Sequence, residues 1–183
     1  MVIGVSGYAR SGKDTFFKLL KKALKGKFKV QRIALADAIK NDLKPLLVKN
    51  FNINPFSCSD EEKEIIRPLM VTYGTHTARK LNENHWIEKI EDKVLSNYNK
   101  GIISVITDIR YANEQNFIKD KFKDSLSINI ERFNYGPANK EEEINTPELK
   151  KNSDYEILWK SFKKNDDEGL PFIESFVNEK IKM

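Results

Sequence analysis

Apolar positions along the chain switch repeatedly between unbroken runs and helical spacing. Val2-Ile3-Gly4-Val5-Ser6 is a short apolar run of the kind that forms a buried strand, and a new period begins at Lys13. From there Phe16, Leu19, Leu20, Ala23 and Leu24 recur on one stripe, with Lys18, Lys21, Lys22 and Lys25 off it. That pattern predicts an amphipathic helix with Gly26 as its stop. Val30 to Leu35 reads as a second strand. A helix from Asp37 follows, turning Ala38, Ile39, Leu43, Leu46 and Leu47 inward and kinked or shortened at Pro45.

Further on, Ser59-Asp60-Glu61-Glu62 fits a capping box at the start of a helix carrying Ile65, Ile66, Leu69, Met70 and Tyr73, with Pro68 in its interior. Trp86, Ile87, Ile90, Val94, Leu95 and Tyr98 mark the next helix, with Asn84 as cap and Gly101 as stop. Ile102 to Thr107 is nearly continuous in β-branched residues, as suits a central parallel strand buried on both faces. A helix is expected over Ala112 to Lys121 and a strand over Leu126 to Glu131. Phe133 to Lys151 is a polar segment, Glu156-Ile157-Leu158 a last short strand, and Phe172, Ile173, Phe176, Val177 and Ile181 stripe a closing helix. Alternating strands and helices predict an α/β fold, a parallel sheet with helices on both faces, whose ligands bind at the C-terminal ends of the strands. With no internal repeat and no Gly/Ser linker, residues 1–183 read as one domain.

Composition narrows the field. A chain of 183 residues, 39% hydrophobic, can bury a core without staples. Its single Cys58 forms no internal disulfide, and with only His76 and His85 beside it a Cys/His zinc site is not expected. No stretch approaches the ~20 apolar residues of a membrane span. Met1 to Val5 does not read as a signal peptide, so a cytoplasmic location is expected. The net charge of +5 is unevenly spread: residues 1–50 hold 12 Lys/Arg against 3 Asp/Glu, and the remainder is net negative. Basicity confined to one segment suits a small polyanion more than nucleic acid.

That segment contains Gly7-Tyr8-Ala9-Arg10-Ser11-Gly12-Lys13-Asp14-Thr15, which follows the first strand and opens the first helix. It matches G-x-x-x-x-G-K in the strand–loop–helix context the motif requires. Glycines let backbone N–H groups converge on phosphate oxygens, the helix N-terminus adds partial positive charge, and Lys13 adds a full one. Asp14 stands where a hydroxyl residue is usual, and Thr15 is the preferred hydroxyl for a phosphate–magnesium unit. Asp14 itself is placed to cap the helix, touch a magnesium water or act near the reacting phosphates.

Thr107-Asp108 ends the most apolar strand, so Asp108 is expected at the sheet edge beside this loop, holding magnesium or orienting an acceptor. Arg110 is placed to neutralise a transferring phosphoryl group. Arg67 and Arg79 flank Tyr73-Gly74-Thr75 and offer planar forks for an acceptor phosphate; surface pairing with Glu61, Glu62 or Glu64 is the plainer alternative. Arg132 is placed like a lid arginine at the head of the 133–151 segment, and Glu141-Glu142-Glu143 within it reads as solvated.

Four segments in this order resemble the deoxynucleoside monophosphate kinases of T-even-type bacteriophages: the Gly7 to Thr15 loop, Leu35-Ala36-Asp37-Ala38-Ile39-Lys40, Arg67 to Thr75, and Val105 to Arg110. The resemblance covers most of residues 2–158. It implies a three-layer P-loop kinase fold with a short lid near 133–151, ATP with Mg2+ as donor, and a deoxynucleoside 5′-monophosphate as acceptor. Gly7, Arg10, Ser11, Gly12, Lys13, Asp14, Thr15 and Arg132 would then serve ATP, and Thr15 and Asp108 the metal. Lys13, Asp108, Arg110 and Asp14 would serve the chemistry, and Arg67, Arg79, Arg110 and Lys40 the acceptor. The charge distribution and the lack of a long apolar stretch lead to an expectation of no nucleic-acid and no membrane partner. The resemblance is compatible with a homodimer, and a host-cytoplasmic location is expected if the chain is viral. A P-loop kinase for another phosphorylated acceptor, of the dephospho-CoA or phosphomevalonate type, is the nearest rival. A polynucleotide 5′-kinase and a non-catalytic nucleotide-binding module are more distant ones.

Overall fold

A computed structural model describes residues 1–160 and 167–181, which divide into two compact units, Met1–Ile33 with Lys93–Met183, and Ala34–Asp92. The first unit holds a five-stranded sheet formed by β1 (Val2–Ser6), β2 (Val30–Ile33), β3 (Ile103–Ile106), β4 (Ser125–Arg132) and β5 (Tyr155–Trp159). All neighbours pair in parallel, in the order β2-β3-β1-β4-β5. β1 is therefore the middle strand, and every residue of β1 and β3 is buried, as their continuous apolar runs require.

On one face lie α1 (Lys13–Ala23) and the C-terminal α7 (Leu170–Lys180). Phe16, Leu20 and Leu24 interlock there with Ile173, Phe176 and Val177 over Ile3, Val5, Ile128 and Ile130. The other face carries α5 (Ala112–Lys121) and α6 (Lys140–Lys151). The bare Cα of Gly4 lets α5 come close, since a Cβ there would stand 2.6 Å from Ile118 Cδ1. This is the three-layer α/β arrangement predicted from the alternation.

The second unit is helical: α2 (Leu35–Phe51), α3 (Asp60–Val71), a π-helical stretch Thr72–Arg79, and most of α4 (His85–Asn99). Leu43, Leu47 and Ile66 form its small core with Ile39, Met70 and Tyr73 packed against them. The expected capping box is present: Ser59 Oγ accepts from Glu62 N–H and Glu62 accepts from Ser59 N–H.

Several expectations are corrected. Both prolines sit inside continuous helices, because Pro45 and Pro68 are solvent-facing and each helix gives up a local backbone bond while keeping its buried stripe. Ile65, Leu46, Leu69, Leu95 and Phe172 are exposed rather than inward. The segment read as merely polar contains α6, capped by Asn139, whose Oδ1 accepts from Glu142 N–H at 2.9 Å. No helix of the described residues is long and apolar enough to cross a membrane.

Candidate phosphate-transfer site

The strand order reverses about β1, with β2 and β3 to one side and β4 and β5 to the other, and the crevice beyond its C-terminal end is where such sheets bind ligands. The Gly7 to Thr15 loop emerges there. Gly7 and Gly12 have φ of +130° and +99°, and neither has room for a side chain. A Cβ on Gly7 would fall 2.1 Å from the Ile130 carbonyl oxygen, and one on Gly12 would fall 2.8 Å from Trp159 Nε1. Arg10 also takes a left-handed φ of 62° and is exposed. The two glycines are thus fixed by geometry, and the loop wraps as a backbone cradle of the kind phosphates occupy.

Lys13 opens α1, and its Nζ donates to the carbonyl oxygens of Gly7 and Tyr8, both at 2.7 Å. Burial pushes its pKa down to about 8, and the Arg110 guanidinium adds to the fall, while Glu142, Asp108 and Asp14 oppose it. Asp108 and Arg110, on the turn after β3, are among the charges that act on the loop lysine, and Arg110 lines a small pocket with Gly7. Asp14 is exposed and meets Arg32 Nε at 3.4 Å; Thr15 is half-buried in the first turn of α1. Arg132 stacks on Tyr135, with 4.3 Å from guanidinium carbon to ring centroid, and its Nη1 donates to the Arg10 carbonyl at 3.4 Å.

In the second unit Arg67 is exposed and pairs with Glu64 at 2.6 Å, one of the surface partners considered for it. Arg79 Nη1 donates to the Glu83 carbonyl at 3.0 Å, and Lys40 Nζ stands 5.4 Å from the Phe56 ring centroid. Gly74, between these arginines, accepts from Trp86 Nε1 at 2.9 Å, and Ile39 leaves no space for a Cβ on it.

Three residues beyond those expected shape the loops of the first unit. Trp159 closes β5 and donates from Nε1 to the Ser11 carbonyl at 2.8 Å. Glu114, buried in the first turn of α5, accepts from the amides of Arg110 (2.8 Å) and Tyr111 (3.2 Å) and so fixes the turn after Asp108. Glu142 was expected in solvent; it is buried at 7% exposure and its Oε2 accepts from Ala9 N–H at 3.0 Å. Asn139 places it at the third position of α6, facing inward, which a run of three glutamates does not disclose. Gly7, Ile109, Arg110, Glu141, Glu142 and Thr146 line a small pocket beside the loop.

The donor atoms suit a magnesium nucleotide. The glycine cradle and the buried Ser11 hydroxyl, which has no hydrogen-bond partner among the described residues, fit phosphate oxygens. Thr15 and Asp108 offer the hard oxygens that Mg2+ takes alongside substrate phosphates, and no cluster of three or more His, Cys, Asp or Glu side chains suited to a metal occurs among the described residues.

A parallel sheet with a Gly-Lys loop after its middle strand and an acidic turn after its neighbour is the arrangement of a P-loop phosphate-binding fold. The family model for phosphomevalonate kinase matches residues 5–124, more than half of the chain, and the chain belongs to that family. No curated protein matches it. Among solved structures, TT1252 from Thermus thermophilus shares the fold at a TM-score of 0.50, with 10% identity over 98% of this chain and 97% of that one. A sugar kinase from Janibacter sp. HTCC2649 aligns at 0.48 with 11% identity over 97% and 92%, and dephospho-CoA kinase from Campylobacter jejuni at 0.46 with 18% identity over 99% and 97%. The family match makes the chain a P-loop kinase, a phosphotransferase, without singling out the phage deoxynucleoside monophosphate kinases; the likeness to TT1252 shows the fold alone.

Proposed function

We propose that the chain transfers the γ-phosphoryl group of ATP to the phosphate of a deoxynucleoside 5′-monophosphate. The observation that carries the transfer is geometric: Lys13 Nζ is bonded to the Gly7 and Tyr8 carbonyls, Arg110 lines one pocket with Gly7, and the turn that holds Asp108 and Arg110 is tied to β1 by Ile109 N–H donating to the Val5 carbonyl. An acceptor phosphate oxygen attacks the γ-phosphorus in line, the bond to the β–γ bridging oxygen breaks, and ADP leaves. No covalent enzyme intermediate is required. Loop amides and Lys13 hold the donor phosphates, Arg110 neutralises charge on the group in transit, and Asp108 orients the acceptor. Thr15 and Asp108 would hold Mg2+ on the donor side, and the ion would supply further charge neutralisation when bound. Asp14, Arg10, Ser11 and Arg132 complete the donor side. Arg67, Arg79 and Lys40 are assigned to the acceptor, a role supported by the order of the four motifs.

A second reading, transfer to phosphomevalonate, is favoured by the family match over residues 5–124. Both acceptors are phosphomonoesters and both products phosphoanhydrides, so the same loop serves either. A steady-state assay of ADP release with dTMP, dGMP, dCMP, dAMP, the ribonucleotides, phosphomevalonate and dephospho-CoA decides between them. Turnover on any deoxynucleotide supports the first reading, and turnover on phosphomevalonate alone replaces it with the second. Mg·ATP binding without turnover on any acceptor refutes both. Light scattering on the same preparation reads whether the chain is a dimer.

A further inference from the structure

We propose that Glu142 is a positioning residue for phosphoryl transfer, tying the first turn of the phosphate loop to the start of α6 through one buried carboxylate oxygen. The inference rests on the kinase reading above and deepens it. Glu142 lies beyond the residues matched to the family model, in a segment expected to act only as a lid.

Its Oε2 accepts from Ala9 N–H at 3.0 Å and from Ala138 N–H at 3.1 Å. Ala9 is the third residue of the loop, four residues ahead of α1, so no helical bond is available to hold its amide. A buried carboxylate costs solvation, and two charge-assisted bonds to backbone amides offset that cost while fixing both ends in space.

The helix that presents Glu142 is anchored at its far end as well. Gln115 Nε2 donates to the Leu149 carbonyl at 3.0 Å, and Lys119 Nζ donates to the Asn152 carbonyl at 2.5 Å. Thr146, one turn along from Glu142, is buried on the same face, and both line the pocket shared with Gly7 and Arg110. One face of α6 thus meets the loop where the donor phosphates would be seated. With Trp159 holding Ser11 and Glu142 holding Ala9, the loop is braced on two sides.

Phosphate loops act by presenting amides in fixed directions, and misplacement by about 1 Å can cost about 100-fold in rate. The test compares Glu142→Ala with Glu142→Gln, whose amide oxygen accepts the same two N–H groups. Steady-state kinetics are read with hydrogen exchange at the Ala9 amide, measured without nucleotide. Glu142→Ala is expected to raise the KM for ATP about 10-fold and lower kcat, with the acceptor KM within about twofold, and to lose protection at Ala9. Glu142→Gln is expected to return both within about threefold of wild type.

Three results overturn the proposal: a folded Glu142→Ala protein with wild-type ATP KM and kcat, a Gln variant no better than Ala, or tighter ATP binding in Ala. The last would mean that the carboxylate occupies a phosphate position. If the wild-type chain turns over no acceptor, the kinase reading fails by itself. Calorimetric ATP binding and Ala9 protection then still decide the role of Glu142.

Discussion

The indole of Trp159 donates from Nε1 to the main-chain oxygen of Ser11 at 2.8 Å, and the same ring occupies the space that a Cβ on Gly12 would need. The last strand of the sheet therefore sets the shape of the loop that follows the first. Gly12→Ala would place a methyl 2.8 Å from Nε1 on a residue already at φ +99°. Left-handed backbone with a Cβ costs roughly 1–2 kcal/mol, and the ring must also shift. A Tm lower by several degrees and ATP binding weaker by about 10-fold are expected, read by thermal melting and calorimetry. Trp159→Phe keeps most of the ring and removes the donor, so it should weaken ATP binding less. The double variant should be non-additive, since both changes act on one contact. Unchanged ATP affinity in Gly12→Ala would refute the coupling.

Lys13 gives a pH dependence with a definite sign. Its folded pKa of about 8 lies below the ordinary 10.5, with burial as the main cause and Arg110 next. Between those values the unfolded chain binds more protons than the folded one, so this residue's contribution to stability rises with pH across the window. Binding runs the other way, because the neutral amine above pH 8 no longer attracts phosphate. Bound ATP restores a charge partner, so binding near pH 8.5 should take up a proton, visible as a dependence of the calorimetric enthalpy on buffer ionisation. Lys13→Met should abolish that uptake and reduce transfer at least 100-fold while leaving the melt unchanged or higher. A Met variant with full transfer activity would remove Lys13 from the mechanism.

The strands and the phosphate loop were legible because their signals are local. Unbroken apolar runs mark β1 and β3, and Gly7, Gly12 and Lys13 sit at a spacing that backbone geometry enforces. The braces of that loop were not legible, since they come from distant parts of the chain. Trp159 reaches Ser11 from the last strand and Glu142 reaches Ala9 from α6, contacts that exist only once the sheet is assembled. Glu114 left one trace, its position three residues after Tyr111, which is capping-box spacing without the usual Ser or Thr. Ile65 and Leu69 misled because a small helical unit with Ile66 as the buried residue of α3 leaves part of an apolar stripe in solvent. The prolines misled because a missing N–H on an exposed helix face is cheaper than unwinding a buried one.

For the acceptor side, Arg67 is an informative position because its loss should be silent in stability. Its pair with Glu64 is exposed on both sides, at 65% and 67%, and such pairs contribute about 0–1 kcal/mol. Arg67→Ala should therefore melt within a few degrees of wild type. If Arg67 holds the acceptor phosphate, the acceptor KM should rise about 10-fold or more with the ATP KM unchanged. Arg79→Ala should do the same, with a larger stability cost from the lost bond to the Glu83 carbonyl. Unaltered acceptor KM in both variants would leave the surface-pairing reading of these arginines in place.

Glu114 offers the converse case, a residue with no proposed contact to either substrate whose removal should still slow the chemistry. Its Oε2 accepts from the amides of Arg110 and Tyr111, and its side chain is buried at 4% exposure, so truncation leaves two amides without that acceptor. Lost bonds of this kind cost about 1–3 kcal/mol, so Glu114→Ala should lower the midpoint of urea unfolding with little change in slope. The turn carrying Asp108 and Arg110 would also lose its fixed direction. kcat should therefore fall well beyond what a fractional loss of folded protein explains, while the ATP KM, set by the braced phosphate loop, stays near wild type. Glu114→Gln keeps an acceptor oxygen and should recover most of the rate. If the Ala variant, assayed where it is fully folded, transfers phosphate at the wild-type rate, the turn needs no such support, and Asp108 and Arg110 are held by the end of β3 alone.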